Sequence, residues 1–328
     1  MAPDDLDGLT PNPESHTHPP ASNPGMEVNM YVVLGASGHT GHVVATNLLT
    51  RGQKVRVIGR NSLHLQPLAS KGAEPFIADV SDASALVKAF EPADSAYIMI
   101  PPNLTSKDPL GYADRVSDAI FAAVQKSGVK NVVVLSSVGA ALSSGTGPVV
   151  TLHNLEQKLN QIAQANIFFL RAAYFMENTL PQANAIRATG NAAGPLRPDL
   201  SIPMIATRDI GNVAADVLLH PTIHGKQIRE LHGQRDLTYN EVAGTIGKTI
   251  GKPDLKYVHI TGDQFRDVLV QTGMSPQVAN LLREMTDALN AGRMHPVEPR
   301  TPQNTTPTSY ETFVNESFVP AYQEQAAA

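Results

Sequence analysis

One segment, Tyr31-Val-Val-Leu-Gly35-Ala-Ser-Gly38-His-Thr-Gly41-His-Val43, constrains the fold more than any other part of the chain. Met30–Leu34 reads as a buried strand, three glycines supply a turn, and residues 42–50 read as a helix. A turn of this kind needs positive φ at Gly35, close backbone approach at Gly38 and tight helix-to-strand packing at Gly41, and the helix it opens aims unpaired N–H groups at an anion. The spacing is G-x-x-G-x-x-G, and its setting between strand and helix makes it the phosphate turn of a dinucleotide-binding α/β unit. Gly35, Ser37, Gly38, His39, Thr40 and Gly41 are its cofactor-facing residues.

What stands about twenty residues further on selects the dinucleotide, because the end of the second strand meets the adenosine ribose. Here Lys54-Val-Arg-Val-Ile-Gly-Arg60-Asn61-Ser62 places a base where an NAD-binding chain would place Asp or Glu. Arg60 offers a forked guanidinium to a 2′-phosphate, and Asn61 or Ser62 adds neutral donors, so the expected ligand is NADP(H).

The 328 residues are 42% hydrophobic and 17% charged, enough for one large core with a smaller lobe built on it. A net charge of −5 and the lack of any basic run speak against a nucleic-acid or anionic-membrane surface. No apolar stretch approaches the ~20 residues that span a bilayer. Residues 1–29 carry Pro, Asp, Asn, Ser and His with hardly any aliphatics, and are expected to form a disordered tail that is not a signal peptide. The chain has no cysteine, which removes thiolate catalysis and Cys-ligated zinc and suits a cytoplasmic protein, and no metal site is expected.

Strands and helices alternate with short connections, the pattern of a doubly wound parallel sheet with helices on both faces. A third strand closes at Asp79-Val80, a fourth runs into Ile100-Pro101-Pro102, Pro109–Ser127 is a long helix, and a fifth strand, apolar throughout, ends at Ser136-Ser137. In such sheets ligands sit beyond the carboxyl ends of the strands, so Asp79, Val80, Ile100, Pro101, Pro102, Ser136 and Ser137 join the glycine turn and Arg60 along the cofactor path. Apolar residues at 152, 155, 159 and 162 then mark a helix laid on the sheet, with His153, Glu156 and Gln157 on one flank and Lys158 on the other. The Tyr-x-x-x-Lys relay of short-chain dehydrogenases is absent from this helix. His153, with Glu156 beside it, is the candidate for acid catalysis or substrate positioning; a flank of solvated polar residues is the alternative.

With these residues in view, the chain resembles the NmrA-like branch of the atypical short-chain dehydrogenases. The matching segments are the glycine turn with Arg60, the Leu135-Ser136-Ser137 strand end and His153-Asn-Leu-Glu156-Gln-Lys-Leu159. They continue with Leu170-Arg171-Ala-Ala-Tyr174-Phe175-Met176-Glu177-Asn178 and Ile205-Ala-Thr207-Arg208-Asp209-Ile210-Gly211. The resemblance implies a Rossmann core over 30–172, a small carboxyl-terminal α/β substrate lobe over 173–328 with further elements packing on the core, and NADP(H) as cofactor. It also implies a family split by function, since some members reduce quinones, azo compounds or other electrophiles, some tailor fungal natural products, and others sense the NADP redox state and bind regulatory proteins.

The carboxyl half fits a substrate lobe. Tyr174 follows the sixth strand and arrives at the nicotinamide edge of the sheet, which makes it, with His153 and Glu156, a candidate catalytic residue. Asp209 reads as an N-cap, Thr238 and Thr308 open capping boxes, and Ser275-Pro276 starts a helix. That helix's face of Val278, Leu281, Leu282, Met285 and Leu289 can roof a hydrophobic pocket, form a homodimer surface or pack as plain core. The favoured function is an NADPH-dependent reductase of a hydrophobic carbonyl, quinone, imine or conjugated alkene. An NADP(H)-sensing regulator without turnover and a cofactor-assisted ring-forming enzyme are the alternatives.

Overall fold

A computed structural model describes residues 29–324. All but the last residue of the tail expected at 1–29 lies outside the described residues. The first half is a strict alternation. β1 (Met30–Leu34), α1 (His39–Thr50), β2 (Lys54–Gly59), α2 (Ser62–Ala69), β3 (Glu74–Ile77), α3 (Ala83–Phe90), β4 (Ser95–Ile98), α4 (Pro109–Ser127), β5 (Asn131–Ser137), α5 (Val149–Leu159) and β6 (Asn166–Ala172) follow one another. The second half adds β7 (Tyr174–Phe175), α6 (Gln182–Thr189), β8 (Ala192–Gly194), β9 (Ile202–Ile205), α7 (Thr207–Leu219), β10 (Lys226–Leu231), β11 (Asp236–Leu237), α8 (Tyr239–Thr249), β12 (Tyr257–His259), α9 (Gly262–Gln271) and α10 (Pro276–Asn290). A last helical stretch runs from Tyr310 to Glu324.

Seven parallel strands form the main sheet in the order β10-β6-β5-β4-β1-β2-β3. Both faces are covered, which is why the central strands read as unbroken apolar runs. One face packs Val44, Leu48, Ile210, Ala214 and Leu218 of α1 and α7 against Tyr31, Val33 and Val133. The other packs Leu86, Val116, Ile120, Leu155 and Leu159 of α3, α4 and α5 against Val32, Leu34 and Phe169. In the carboxyl half, β10 completes the sheet and α7 covers it, while β8, β9, β11, β12 and α8 build a third cluster around Met204, Leu237, Ile246 and Phe318.

Two helix starts differ from their expected form. Asp209 lies inside α7, not at its cap; the α7 N-terminus is held by the Glu177 carboxylate, which accepts from Thr207 N at 2.9 Å and Thr207 Oγ1 at 2.6 Å. Asp209 instead accepts from Thr308 N at 3.0 Å and Thr308 Oγ1 at 2.7 Å. That leaves Ser309 as the N-cap of the last helical stretch, one residue later than the capping-box spacing suggested. The capping box at Thr238 and the N-cap at Ser275 stand as their sequences indicate.

Candidate functional site

The glycine turn has the geometry its sequence demands. Gly35 sits at φ +66, and a Cβ there would lie 2.5 Å from the Met99 sulfur. A Cβ on Gly41 would fall on the Gly35 carbonyl oxygen and 2.7 Å from its carbon, so no side chain fits where α1 crosses the strand end. Helix α1 begins at His39, three residues earlier than the apolar pattern indicates, with Gly38 as an extended N-cap that contributes no side-chain hydrogen bond. Its first N–H groups are therefore open to an anion, the condition a pyrophosphate requires. Ser37 and His39 are exposed at this turn, whereas Thr40 is 5% exposed and its hydroxyl accepts from buried Tyr97 at 2.9 Å. Thr40 thus has only its backbone to offer a cofactor, because its side chain closes the core beneath the turn.

At the end of β2, Arg60 is exposed and makes no hydrogen bond or ion pair with any described residue. Asn61 caps α2 by accepting from Leu63 N at 2.9 Å, which engages its oxygen and leaves its amide N–H groups as donors. Val80 is buried, while Asp79 is exposed. Hydrogen bonds from the backbone and hydroxyl of Ser81, with the nearby Arg60 charge, hold the Asp79 carboxyl below its usual range. Burial raises the Tyr112 phenol, against the pull of Arg60. Arg60, Asp79 and Tyr112 thus form one neighbourhood at the strand ends, and Tyr112 is a member that the sequence reading missed.

Two cavities, each of about 470 Å³, lie along this edge. One borders Ser37, Gly38 and His39 of the glycine turn and reaches Glu177, Thr207 and Arg208. The other opens beyond β4, β5 and β6, where Ile100, Pro101, Pro102, Ser136, Ser137 and Tyr174 line it together. Its roof is the α10 face of Val278, Leu281, Leu282, Met285 and Leu289, of which Leu289 and Met285 also join the third core cluster. Apolar side chains dominate the wall; besides Ser136, Ser137 and Tyr174, its polar members are Asn103, Tyr112, Thr151, Asn178, Ser201 and His295, and no Lys, Arg, Asp or Glu among the described residues lines it.

Helix α10 comes this close because of glycine. Gly147, in the loop between β5 and α5, has φ +58, and a Cβ on it would fall on the Leu281 carbonyl oxygen and 2.9 Å from Met285 N. Gly139, at φ +93, leaves the room that Met294 fills. Both positions require a left-handed backbone as well as space. The signal was present as Gly145-Thr-Gly147, but without its partner helix it reads only as a loop.

The flank expected to carry catalysis is arranged differently. Glu156 is 1% exposed, accepting Ser136 Oγ at 2.6 Å and taking both arms of Arg171, Nε at 3.0 Å and Nη2 at 2.6 Å. His153 is half-buried with Nδ1 2.9 Å from the Ala140 carbonyl, so that nitrogen carries the proton and donates. Neither His153 nor Glu156 lines the cavity. The helix starts at Val149 and turns Glu156 inward against the sheet, and Lys158 pairs with Asp114 and Asp118 of α4.

Tyr174 does reach the cavity. Its oxygen accepts from Tyr239 Oη at 3.2 Å, with the Asn178 amide nearby, so its own O–H remains available to donate. Burial raises its pKa and keeps the phenol protonated at neutral pH, while Tyr239 and Asn178 favour the phenolate that proton loss would leave. The Tyr239 ring lies 4.7 Å from that of Tyr257, tilted by 36°, and the Tyr257 hydroxyl donates to the Leu196 carbonyl at 3.0 Å.

A parallel sheet with an open glycine turn at one strand end and an apolar cavity at its neighbours defines a Rossmann-type dinucleotide-binding protein. The chain belongs to the NmrA-like family, whose model matches residues 29–315. It is 26% identical over 258 residues to an NAD(P)H azoreductase of Xenophilus azovorans, covering 78% of this chain and 86% of that one. The fold matches the Escherichia coli NADPH-dependent quinone oxidoreductase solved with NADPH, at TM-score 0.72 and 23% identity over 88% of this chain and 99% of that one. It also matches the Citrobacter triphenylmethane reductase solved with NADP(H), at TM-score 0.71 and 20% identity over 88% and 99%.

Proposed function

We propose that the protein is an NADPH-dependent reductase of an uncharged, hydrophobic electrophile such as a quinone, enone, imine or azo compound. The observation that carries this reading is the apolar cavity under α10, which meets the sheet at Ser137 and Tyr174, beside the strand ends where a dinucleotide runs. The named activities of the azoreductase and quinone oxidoreductase support it.

The residues present fit the cofactor. The α1 N-terminus and the backbone from Gly35 to Gly41 would hold the pyrophosphate, and Arg60 would hold the 2′-phosphate. When bound, NADPH supplies a hydride from its nicotinamide ring. The protein's own contribution begins with the cavity wall, whose apolar lining excludes water and orients a flat substrate against the β4, β5 and β6 ends. Tyr174 then donates the proton that balances hydride addition, with the Tyr239 hydrogen bond stabilising its phenolate. This assignment replaces the relay that Tyr-x-x-x-Lys would have provided.

NADPH oxidation in the presence of menadione, an enone and a neutral azo dye tests the proposal. Turnover with at least one is expected, and Tyr174→Phe should lower kcat by roughly 10²-fold, the lower end of acid–base assistance, with NADPH affinity unchanged. No turnover with any of them would overturn the reductase assignment, and a Tyr174→Phe effect below about threefold would remove Tyr174 as the donor.

A further inference from the structure

The buried charges that the proposed chemistry does not use form a single row. Ser136 on β5, Arg171 on β6 and Glu230 on β10 are register partners on three adjacent strands. Glu156 descends on this row from α5, binding the Ser136 hydroxyl and both arms of Arg171. All four side chains are nearly or fully removed from solvent, Arg171 being the most exposed at 8%.

The row ends outside the sheet. Glu230 Oε2 accepts from the backbone N–H groups of Val297 at 2.7 Å and Glu298 at 2.8 Å, and Glu230 N donates to Glu298 Oε2 at 3.3 Å. Val297 and Glu298 belong to the strap that follows α10, and the residues just before them, Gly292, Met294, His295 and Pro296, line the cavity. Further along, the strap is tied to the sheet edge again, where His232 N donates to the Asn304 carbonyl at 2.7 Å and Thr306 N to the His232 carbonyl at 2.9 Å. Among the described residues, Glu230 supplies the hydrogen bonds that fix residues 297–298 to the sheet.

We propose that Glu230 is a positioning residue for the substrate cavity, holding the strap wall against the same row that fixes Ser136 at the cavity floor. A carboxylate suits this role, since one oxygen collects two converging amide N–H groups while the neighbouring Arg171 offsets its charge. Glu230 touches neither substrate nor cofactor, so its effect passes through the placement of Met294, His295 and Pro296. The proposal rests on the assignment of this cavity to the substrate, and its primary readout is independent of turnover.

The test uses the full chain loaded with NADP(H). Trypsin cuts after Arg293 and Arg300, both exposed on the strap. Glu230→Ala should accelerate cleavage there by about tenfold or more, since the strap loses both of its backbone hydrogen bonds to a charged acceptor. Glu230→Gln, which keeps an acceptor oxygen, should restore most of the protection. Val297→Pro removes one donor from the strap side while leaving all four side chains of the buried row in place, and should increase cleavage even if Glu230→Ala fails to fold. With menadione as the probe, KM should rise several-fold in Glu230→Ala and Val297→Pro while kcat stays within about threefold and NADPH affinity is unchanged. Unaltered cleavage and KM in folded Glu230→Ala or Val297→Pro would overturn the proposal, as would loss of NADPH affinity in step with KM. Absence of menadione turnover in the unmodified protein would count against the reductase assignment and leave cleavage to decide the role of Glu230.

Discussion

Replacing Arg60 by Ala should weaken NADPH binding about tenfold and leave NADH binding within about twofold. The magnitude follows from the side chain's surroundings. A charge-assisted hydrogen bond to phosphate is worth ~1.5–3 kcal/mol, but Arg60 is exposed at the β2 end and solvent screening moves it to the low part of that range. Roughly 1.4 kcal/mol corresponds to tenfold. Asp79 adds to the loss, because Arg60 is one of the groups stabilising its ionised form, and without that guanidinium a carboxylate remains beside the incoming phosphate. Arg60→Lys should fall between the two, keeping the charge and losing the planar fork. Titration calorimetry of both nucleotides against each variant checks this, and added salt should narrow the NADPH-to-NADH preference of the unmodified protein. Equal losses for NADPH and NADH, or an unmodified protein that binds the two alike, would refute the argument from the strand end.

Two further perturbations test the turn and the sheet edge. Gly41→Ala forces a methyl group onto the Gly35 carbonyl, so it should lower the melting temperature by an amount equivalent to ~1–3 kcal/mol and reduce NADPH affinity together with it. Gly244→Ala in α8 is the control: it has no heavy atom within 4 Å of a new Cβ and should gain roughly 0.5–1 kcal/mol in thermal denaturation. Burial first, and then the Arg300 charge, lower the pKa of His232, whose Nε2 is buried without a hydrogen-bond partner in the described residues. The unfolded chain therefore binds a proton there sooner than the folded one, so stability falls as pH drops below about 6.5. His232→Gln should flatten that part of the denaturation profile, and an unchanged slope would remove His232 as its source.

The parts of this fold that were legible in the sequence are those in which neighbours in sequence are neighbours in space. The glycine turn, the apolar central strands and the Pro109–Ser127 helix are local patterns with local causes, and their bounds stand within a few residues of the sequence reading. The α10 stripe was legible as apolar, yet what it faces depends on Gly147 more than a hundred residues earlier, a contact that no period encodes. Glu156 shows the same limit from the other side. Its place on a helix flank could be counted, but whether that flank met solvent, substrate or sheet turned on where α5 begins, at Val149, and on an Arg in the next strand.

Register explains why the buried row escaped notice. Ser136, Arg171 and Glu230 are far apart in the chain and sit near the ends of strands, two of them apolar in their centres and the third, β10, at least partly exposed over much of its length. A lone Glu or Arg at a strand end is normally solvated. Parallel pairing brings these three abreast, and once they are abreast each is nearly unworkable without the others, since an unpaired buried charge costs several kcal/mol while a gripped one is tolerated. The fold has thus placed a mutually dependent set of charges beside an apolar cavity, at one strand end on its floor and at the other on its wall. Substitutions within that set should couple strongly to one another, so a double-mutant cycle between Glu156 and Glu230, both facing Arg171, would show non-additivity where two independent surface carboxylates would show none.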